Sequence, residues 1–406
     1  MIVGSIFKIA FDALKANRLR SSLTLLGVMI GVTSVMTIIS ALEGMMDSIE
    51  QDLARLGPST FVVSRMGMIT SEEMFREKIK RKKIDISSVE YIEEGCVLCE
   101  KVAPRIYTFQ NLKNKNETLR NVFVVASTYN YIDIVDMEVQ QGRFHSSEDD
   151  VYSRQVVYIG DLIRETFFSG VDPIGKTVKI GPKKYTVIGV GKKYGSTFGQ
   201  SQDNYVVIPM SSFIKQFGKP NRRLEIFVKA YNVDVLDDAM DQTRMALRAQ
   251  RHVPFNKGDD FDLLTADNIL EVLNSITKIF RMGLVGISSI SLVVGGIVVM
   301  NIMMVSVSER TREIGIRKSI GAKRKHILIQ FVFESLLLTL TGGIVGVVLG
   351  FFIAKSLVGM LDMEISPSTL AIIAGLSIST GIGLIFGIYP AMKAARLDPI
   401  KALSYE

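Results

Sequence analysis

Four stretches of this 406-residue chain are each long enough to cross a bilayer and nearly free of charge. Residues 21–42, 282–308 and 365–392 carry no Asp, Glu, Lys or Arg, and residues 327–354 carry only Glu334. Each exceeds the roughly 20 apolar residues that span a hydrocarbon core, so the chain is read as having four transmembrane helices. A soluble protein would have to bury all four runs in one core. The composition fits a membrane protein with a large polar part: 48% of residues are hydrophobic, 22% are charged and the mean hydropathy is +0.28.

The charges between the spans orient them. Residues 1–20 carry Lys8, Lys15, Arg18 and Arg20 against Asp12; residues 309–326 carry seven Lys and Arg against Glu309 and Glu313; the tail 393–406 carries Lys393, Arg396 and Lys401 against Asp398 and Glu406. Residues 43–281 hold 33 basic and 33 acidic side chains. Because Lys and Arg beside short loops stay in the cytoplasm, both termini and the 309–326 loop are expected inside, with 43–281 and the short 355–364 loop outside the cytoplasmic (inner) membrane. The net charge of +7 thus reports topology and gives no reason to expect nucleic acid as a partner. The first span is too long for a cleaved signal peptide, and no A-x-A site follows it, so it reads as an uncleaved anchor. Before it, Lys8, Asp12 and Lys15 fall on one helical face and Phe7, Ala10, Phe11 and Leu14 on another, as in an amphipathic helix lying in the headgroup region over 1–20.

The outer segment 43–281 reads as mixed α/β. Strand patterns occur at 60–64, 121–127, 154–160, 177–180, 185–190, 204–209 and 224–230, and helical patterns at 72–82, 161–169 and 233–250. A last helix starts at a Thr265 or Asp267 cap and runs on into the second span. Within the segment, "GVDPIGKT" (170–177) fits the phosphate-loop pattern. A phosphate loop joins a strand to a helix, whereas the flanks here read helix, turn, strand, so the match is taken as a turn entering a strand. No residue set suggests catalysis or a cofactor. His145, His252 and His326 lack metal-binding spacing, and the Cys96/Cys99 pair fits a local disulfide as well as two free thiols. The basic run 76–83, "REKIKRKK", reads as a solvated helix face.

The cytoplasmic loop "ERTREIGIRKSIGAKRKH" is the most informative stretch. A helix carries Arg310, Arg312 and Glu313; Ile314 and Ile316 bracket Gly315; Arg317 and Lys318 follow; Gly321 and Ala322 form a turn. Small residues that admit a partner's backbone, next to apolar anchors, suggest docking into a groove on a cytosolic protein. Within the spans, Gly27 and Gly31, Gly342, Gly346 and Gly350, and Gly383 and Gly387 recur at four-residue intervals, which makes smooth faces for packing within the chain or across a dimer. Glu334 is read as a hydrogen-bonded or snorkelling residue near the inner leaflet, with no charge partner evident in the sequence.

Residues 17–35, "NRLRSSLTLLGVMIGVTSV", together with 308–338 and 381–406, resemble the permease subunits of MacB-type ABC transporters, the FtsX-like or mechanotransmission class. "DPIGKTVKI" (172–180) is similar to a recurring turn-strand element of that family's outer domain. The resemblance implies a four-helix membrane protein with a large α/β extracytoplasmic domain, Porter/Sabre-like, inserted between helices 1 and 2. It further implies a homodimer, a cytosolic ABC ATPase subunit that binds the ATP and Mg, and room for an extracytoplasmic adaptor protein. MacB itself carries its ATPase fused ahead of the first span, so the split form is expected here. The leading expectation is a permease driving efflux or release of substrate outside the inner bilayer. The alternative is an FtsX-like signalling protein that activates an external partner; an ion-coupled transporter would need broken helices and paired intramembrane charges.

Overall fold

The computed structural model describes residues 18–54, 56–197, 200–218, 224–359 and 368–403. The amphipathic helix expected over 1–20 lies almost wholly outside them, as do residues 360–364 of the expected 355–364 loop and the last three residues. The helices are α1 (Arg18–Ala54), α2 (Glu72–Lys78), α3 (Ser88–Gly95), α4 (Tyr131–Ile134), α5 (Ser147–Val151), α6 (Asp161–Phe167), α7 (Met210–Phe217), α8 (Leu236–Arg251), α9 (Ala266–Glu309), α10 (Thr311–Ser319), α11 (Arg324–Gly359), α12 (Thr369–Arg396) and α13 (Pro399–Leu403). The strands are β1 (Thr60–Ser64), β2 (Cys99–Asn114), β3 (Glu117–Ser127), β4 (Val139–Gly142), β5 (Val156–Ile159), β6 (Thr177–Ile180), β7 (Lys183–Gly191), β8 (Ser196–Thr197), β9 (Gln200–Ser201), β10 (Tyr205–Pro209), β11 (Glu225–Ala230) and β12 (Asp262–Thr265). The chain divides into two compact units, one of residues up to 47 and from 275 onward, the other of residues 48–274.

In the first unit, α1, α9, α11 and α12 are long and apolar enough to cross a membrane. Each extends beyond its charge-free core. Charge marks where the hydrocarbon ends, while the backbone hydrogen bonds of a helix continue through polar residues at no cost. Thr265 caps α9, its Oγ1 accepting from the Asn268 N–H at 3.1 Å.

Glycines let these helices approach. A Cβ on Gly346 would stand 2.9 Å from the Met29 carbonyl oxygen and 2.9 Å from the Val32 Cβ; one on Gly350 would meet the Met36 Cβ at 2.7 Å; one on Gly342 would lie 3.3 Å from the Leu25 oxygen. The same contact is tied by hydrogen bonds, since Thr33 Oγ1 donates to the Gly346 carbonyl at 3.1 Å and Thr37 Oγ1 to that of Gly350 at 3.2 Å. With no water to compete, such close backbone approach and interhelical hydrogen bonds are what hold membrane helices together. Gly27 and Gly31 of α1 face Gly295 and Leu292 of α9, and Gly383 and Gly387 of α12 face Thr339 and Ser335 of α11. All seven glycines singled out by spacing therefore serve packing within one chain.

The second unit is built on one connected ten-stranded sheet in the order β12-β1-β11-β2-β3-β10-β5-β7-β4, with β6 bridging β2 and β7. Strand β10 shows why its sequence is uniformly apolar: Val206 and Ile208 face one core with Val124 and Ile163, while Tyr205 and Val207 face another with Tyr131 and Phe227. Sequence patterns locate β1 and β6 at their observed bounds but miss β2. The run 76–83 differs from its expected role. Helix α2 ends at Lys78, whose Nζ is buried and donates to Asp262 at 2.7 Å; Arg81 Nη1 reaches the same carboxylate at 2.9 Å. Two of these cations thus clamp β12 instead of facing solvent. Cys96 and Cys99 form a disulfide that closes the end of α3 onto the start of β2.

Around "GVDPIGKT" the order is α6, turn, β6, the reverse of a phosphate loop. Gly170 and Gly175 hold φ of +73° and +78°, the left-handed region that glycine adopts without steric cost. The two glycines that complete the pattern are thus explained by the turn.

Candidate coupling site

Helix α9 ends at Glu309, and after the single non-helical residue Arg310 the chain enters α10. Contacts of four residues fix α10 and the residue that leads into it to the membrane bundle. Ile314 is 2% exposed and packs in the core that contains Ile327 and Phe331. Arg310 Nη1 lies 3.3 Å from both carboxylate oxygens of Glu334 on α11, so the intramembrane glutamate has a cation partner after all. The sequence hid it because the two residues are 24 positions apart and meet only when α11 folds back beside the α9 terminus. Arg317 donates to Gln330 at 2.8 Å and pairs with Glu313. Lys318 Nζ donates to the carbonyls of Ala395 and Leu397, each at 2.6 Å, and so satisfies acceptors that the C-terminus of α12 would otherwise leave open.

The end of α10 is a Schellman motif. Gly321, at φ +100°, donates to the Lys318 carbonyl, and Ala322 donates to that of Arg317. This is the turn expected at Gly321 and Ala322. The tail then returns as α13, capped by Asp398, whose Oδ1 accepts from the Ile400 N–H at 2.9 Å, with Pro399 at the first helical position.

Helices α10 and α13 pack on each other through Gly315. A Cβ on Gly315 would stand 2.8 Å from the Ala402 Cβ, and Ala402 is itself 1% exposed. Gly315 thus admits a helix of its own chain. Ile314 and Gly315, expected among the outward anchors, face inward because this close packing and the bundle core occupy them. Arg312, Glu313, Ile316, Ser319, Ile320 and Gly321 face outward. Ile316 and Ile320 are 45% and 82% exposed, and Ile400 and Leu403 on α13 are 79% and 45% exposed. Sequence reasoning passed over Ile320 and the whole of α13; the Asp398-Pro399 start of a short helix was the available signal.

The result is a two-helix platform held by core packing, an ion pair and carbonyl capping, with large apolar side chains on its outer face among Arg312, Lys323, Arg324 and Lys401, all exposed. Exposed isoleucines on helices that also expose cations have the composition of a protein interface, which combines apolar anchors with polar and charged side chains. Among the described residues no group of His, Cys, Asp and Glu is placed to hold a metal ion.

Residues 21–246 match the family model of the MacB-like periplasmic core domain, and residues 285–399 match that of the FtsX-like permease C-terminal region. The macrolide export ATP-binding/permease protein MacB of Bdellovibrio bacteriovorus is 34% identical over 98% of this chain, and its counterpart in Neisseria meningitidis serogroup A is 33% identical over 98%. The chain spans 61% of the length of each of these two relatives. The solved periplasmic region of MacB from Actinobacillus actinomycetemcomitans aligns with a TM-score of 0.45 at 20% identity, covering 56% of this chain and 98% of that one.

Proposed function

This chain belongs to the MacB-like, FtsX-like family of ABC transporter permeases, and on that premise we propose that it couples ATP hydrolysis by a separate cytosolic ATPase subunit to movement of its α/β domain outside the membrane. The observation that carries the reading is the α10–α13 platform. Its outer face offers Ile316, Ile320, Ile400 and Leu403, while its inner face is locked to α11 by Arg310–Glu334 and to α12 by Lys318. A force applied to the outer face therefore reaches two membrane helices without first deforming a loop. Both termini and the platform are cytoplasmic in this reading, which the basic flanks of the spans support. Substrate is moved by the outer domain, in efflux or release, with no conduit through the bundle. The permease acts as a homodimer, whose interface must use surfaces other than the seven glycines already engaged within the chain.

The test is reconstitution with an ATPase of the MacB type. Ile320→Asp and Ile400→Asp place a carboxylate where apolar contact is required, and each should reduce co-purification of the ATPase while leaving membrane insertion and the α/β fold intact. Undiminished co-purification in the double variant would refute the docking assignment. Retained association with hydrolysis, but activation of an external enzyme in place of cargo movement, would favour the signalling alternative.

A further inference from the structure

The α/β domain contains a cationic cavity that the proposed coupling function does not use. It has a volume of about 630 Å³ and is lined by Lys113, Lys115, Lys176, Lys179 and Lys184, with Phe167, Phe168 and Val171 forming an apolar wall. No Asp or Glu lines it. Of the carboxylates near in sequence, Asp172 accepts from Gln141 Nε2 and from the Ile174 N–H, Glu165 pairs with Arg164 and Lys193, and Glu117 lies opposite Asn114 in the β2–β3 hairpin without lining the cavity.

Three of the lysines form a ladder. In the register of the sheet Lys113 on β2 lies opposite Lys179 on β6, and Lys179 lies opposite Lys184 on β7. Strand β6 alternates cleanly, with Val178 and Ile180 buried and Thr177 and Lys179 exposed, so the register is fixed by the core and the lysines cannot slip apart. Directly opposed residues of an antiparallel pair have Cβ atoms about 4.5–5.5 Å apart, and like charges there are destabilising. Two such pairs in succession, flanked by Lys115 and Lys176 and without a lining carboxylate, hold a repulsion that the fold has no need of. A bound polyanion relieves it.

We infer that this cavity is a binding site for a ligand bearing several phosphate-type anionic groups, with the lysine ladder as its cation array and Phe167 and Phe168 bounding its apolar side. Lys176 enters the site because the Gly170–Gly175 turn carries it to the cavity rim. The lysine of the phosphate-loop pattern is thus given an anion-binding role without a phosphate loop. The same chemistry could come from a soluble phosphate ester or from a phospholipid headgroup.

The experiment uses the full chain in nanodiscs of zwitterionic lipid and needs no ATPase. Calorimetric titration with sodium tripolyphosphate tests the soluble source, and co-sedimentation with cardiolipin-containing against phosphatidylcholine vesicles tests the lipid source. The triple variant Lys113→Gln, Lys179→Gln, Lys184→Gln should lose at least about tenfold in affinity for whichever probe binds, a shift of about 1.4 kcal/mol. Lys82→Gln, an exposed lysine outside the cavity, should leave affinity unchanged. In the absence of probe, Lys179→Gln alone should raise the melting temperature, because removing the central charge relieves both repulsive pairs. Binding of either probe with this ladder dependence sustains the site and identifies its source. Failure of both probes to bind, equal binding by the triple variant, an equal loss in Lys82→Gln, or a melting temperature for Lys179→Gln that is unchanged or lower would each overturn it.

Discussion

Gly315 and Ala402 meet where α10 crosses α13, at a separation that leaves no room for a second methyl group, 2.8 Å from an ideal Cβ on the glycine to that of the alanine. The contact joins the 309–326 loop to the C-terminal tail, 87 positions apart in the sequence. It makes one platform of two short helices.

Gly315→Ala should therefore displace α13, weaken ATPase association and uncouple hydrolysis from transport. Ala402→Gly removes the obstructing atom, so the double variant should recover most of the lost association. Measured by co-purification, such rescue would locate the defect in the platform. Absence of rescue would mean that Gly315 is needed for direct approach of the partner.

The Arg310–Glu334 pair leads to a second expectation. Glu334 is 7% exposed, so removing either partner leaves the other poorly solvated. Glu334→Gln and Arg310→Gln should each lower the thermal stability of the protein in nanodiscs, and the double variant should be less damaged than the sum of the two. The coupling expected for such contacting residues is about 0.5–3 kcal/mol. Strict additivity would show that the pair contributes nothing through its contact.

His145 supplies a pH dependence. It is 3% exposed, its Nε2 lies 3.1 Å from the Ser127 carbonyl, and burial lowers its pKa from 6.5 to about 4. The unfolded chain thus binds a proton near pH 6.5 that the folded domain takes up only near pH 4. Stability from this group is complete above the first value and declines as pH falls toward the second, by a total of roughly 3 kcal/mol. Protection factors over residues 144–151, corrected for the intrinsic pH dependence of amide exchange, should fall across that window, and His145→Asn should flatten the part of the dependence that belongs to the imidazole. An identical pH profile in the variant would contradict this.

Topology is tested by labelling in intact cells. A cysteine replacing Lys183 should react with an impermeant reagent, and one replacing Lys323 only after permeabilisation. Cys96 and Cys99 give little background because they are disulfide-bonded. Reaction of the Lys323 position from outside would reverse the orientation drawn from the basic flanks.

Much of this architecture was legible in the sequence because its signals are local. Absence of charge marks the four membrane helices, and strict alternation marks β6. Strand β2 was illegible for a reason that Pro104 makes plain. Proline cannot donate to a ladder and argues against a central strand, yet Pro104 sits in β2 between β11 and β3, opposite Ile226, with its carbonyl accepting from Ser127 Oγ at 2.7 Å. The loop's residue types pointed to docking, but which of them face outward depends on α13 and α11, which approach from far along the chain. Ile314 and Ile316 look alike in sequence; one is core and the other surface. The Arg310–Glu334 partnership and the lysine ladder are likewise products of register and return, which local composition does not encode.

Site-directed cross-linking reports whether the α10–α13 platform is the surface that meets the ATPase. With cysteines at Ile320 and, separately, at Ile400, each variant is co-expressed with a MacB-type ATPase and treated with a short bifunctional thiol reagent, and a cysteine replacing Lys183 serves as the control. Both platform positions should cross-link to the ATPase, with yields that change between nucleotide-free and ATP-trapped states, and the control position should not. Cross-linking from neither platform position, in complexes that still assemble and hydrolyse ATP, would contradict that assignment.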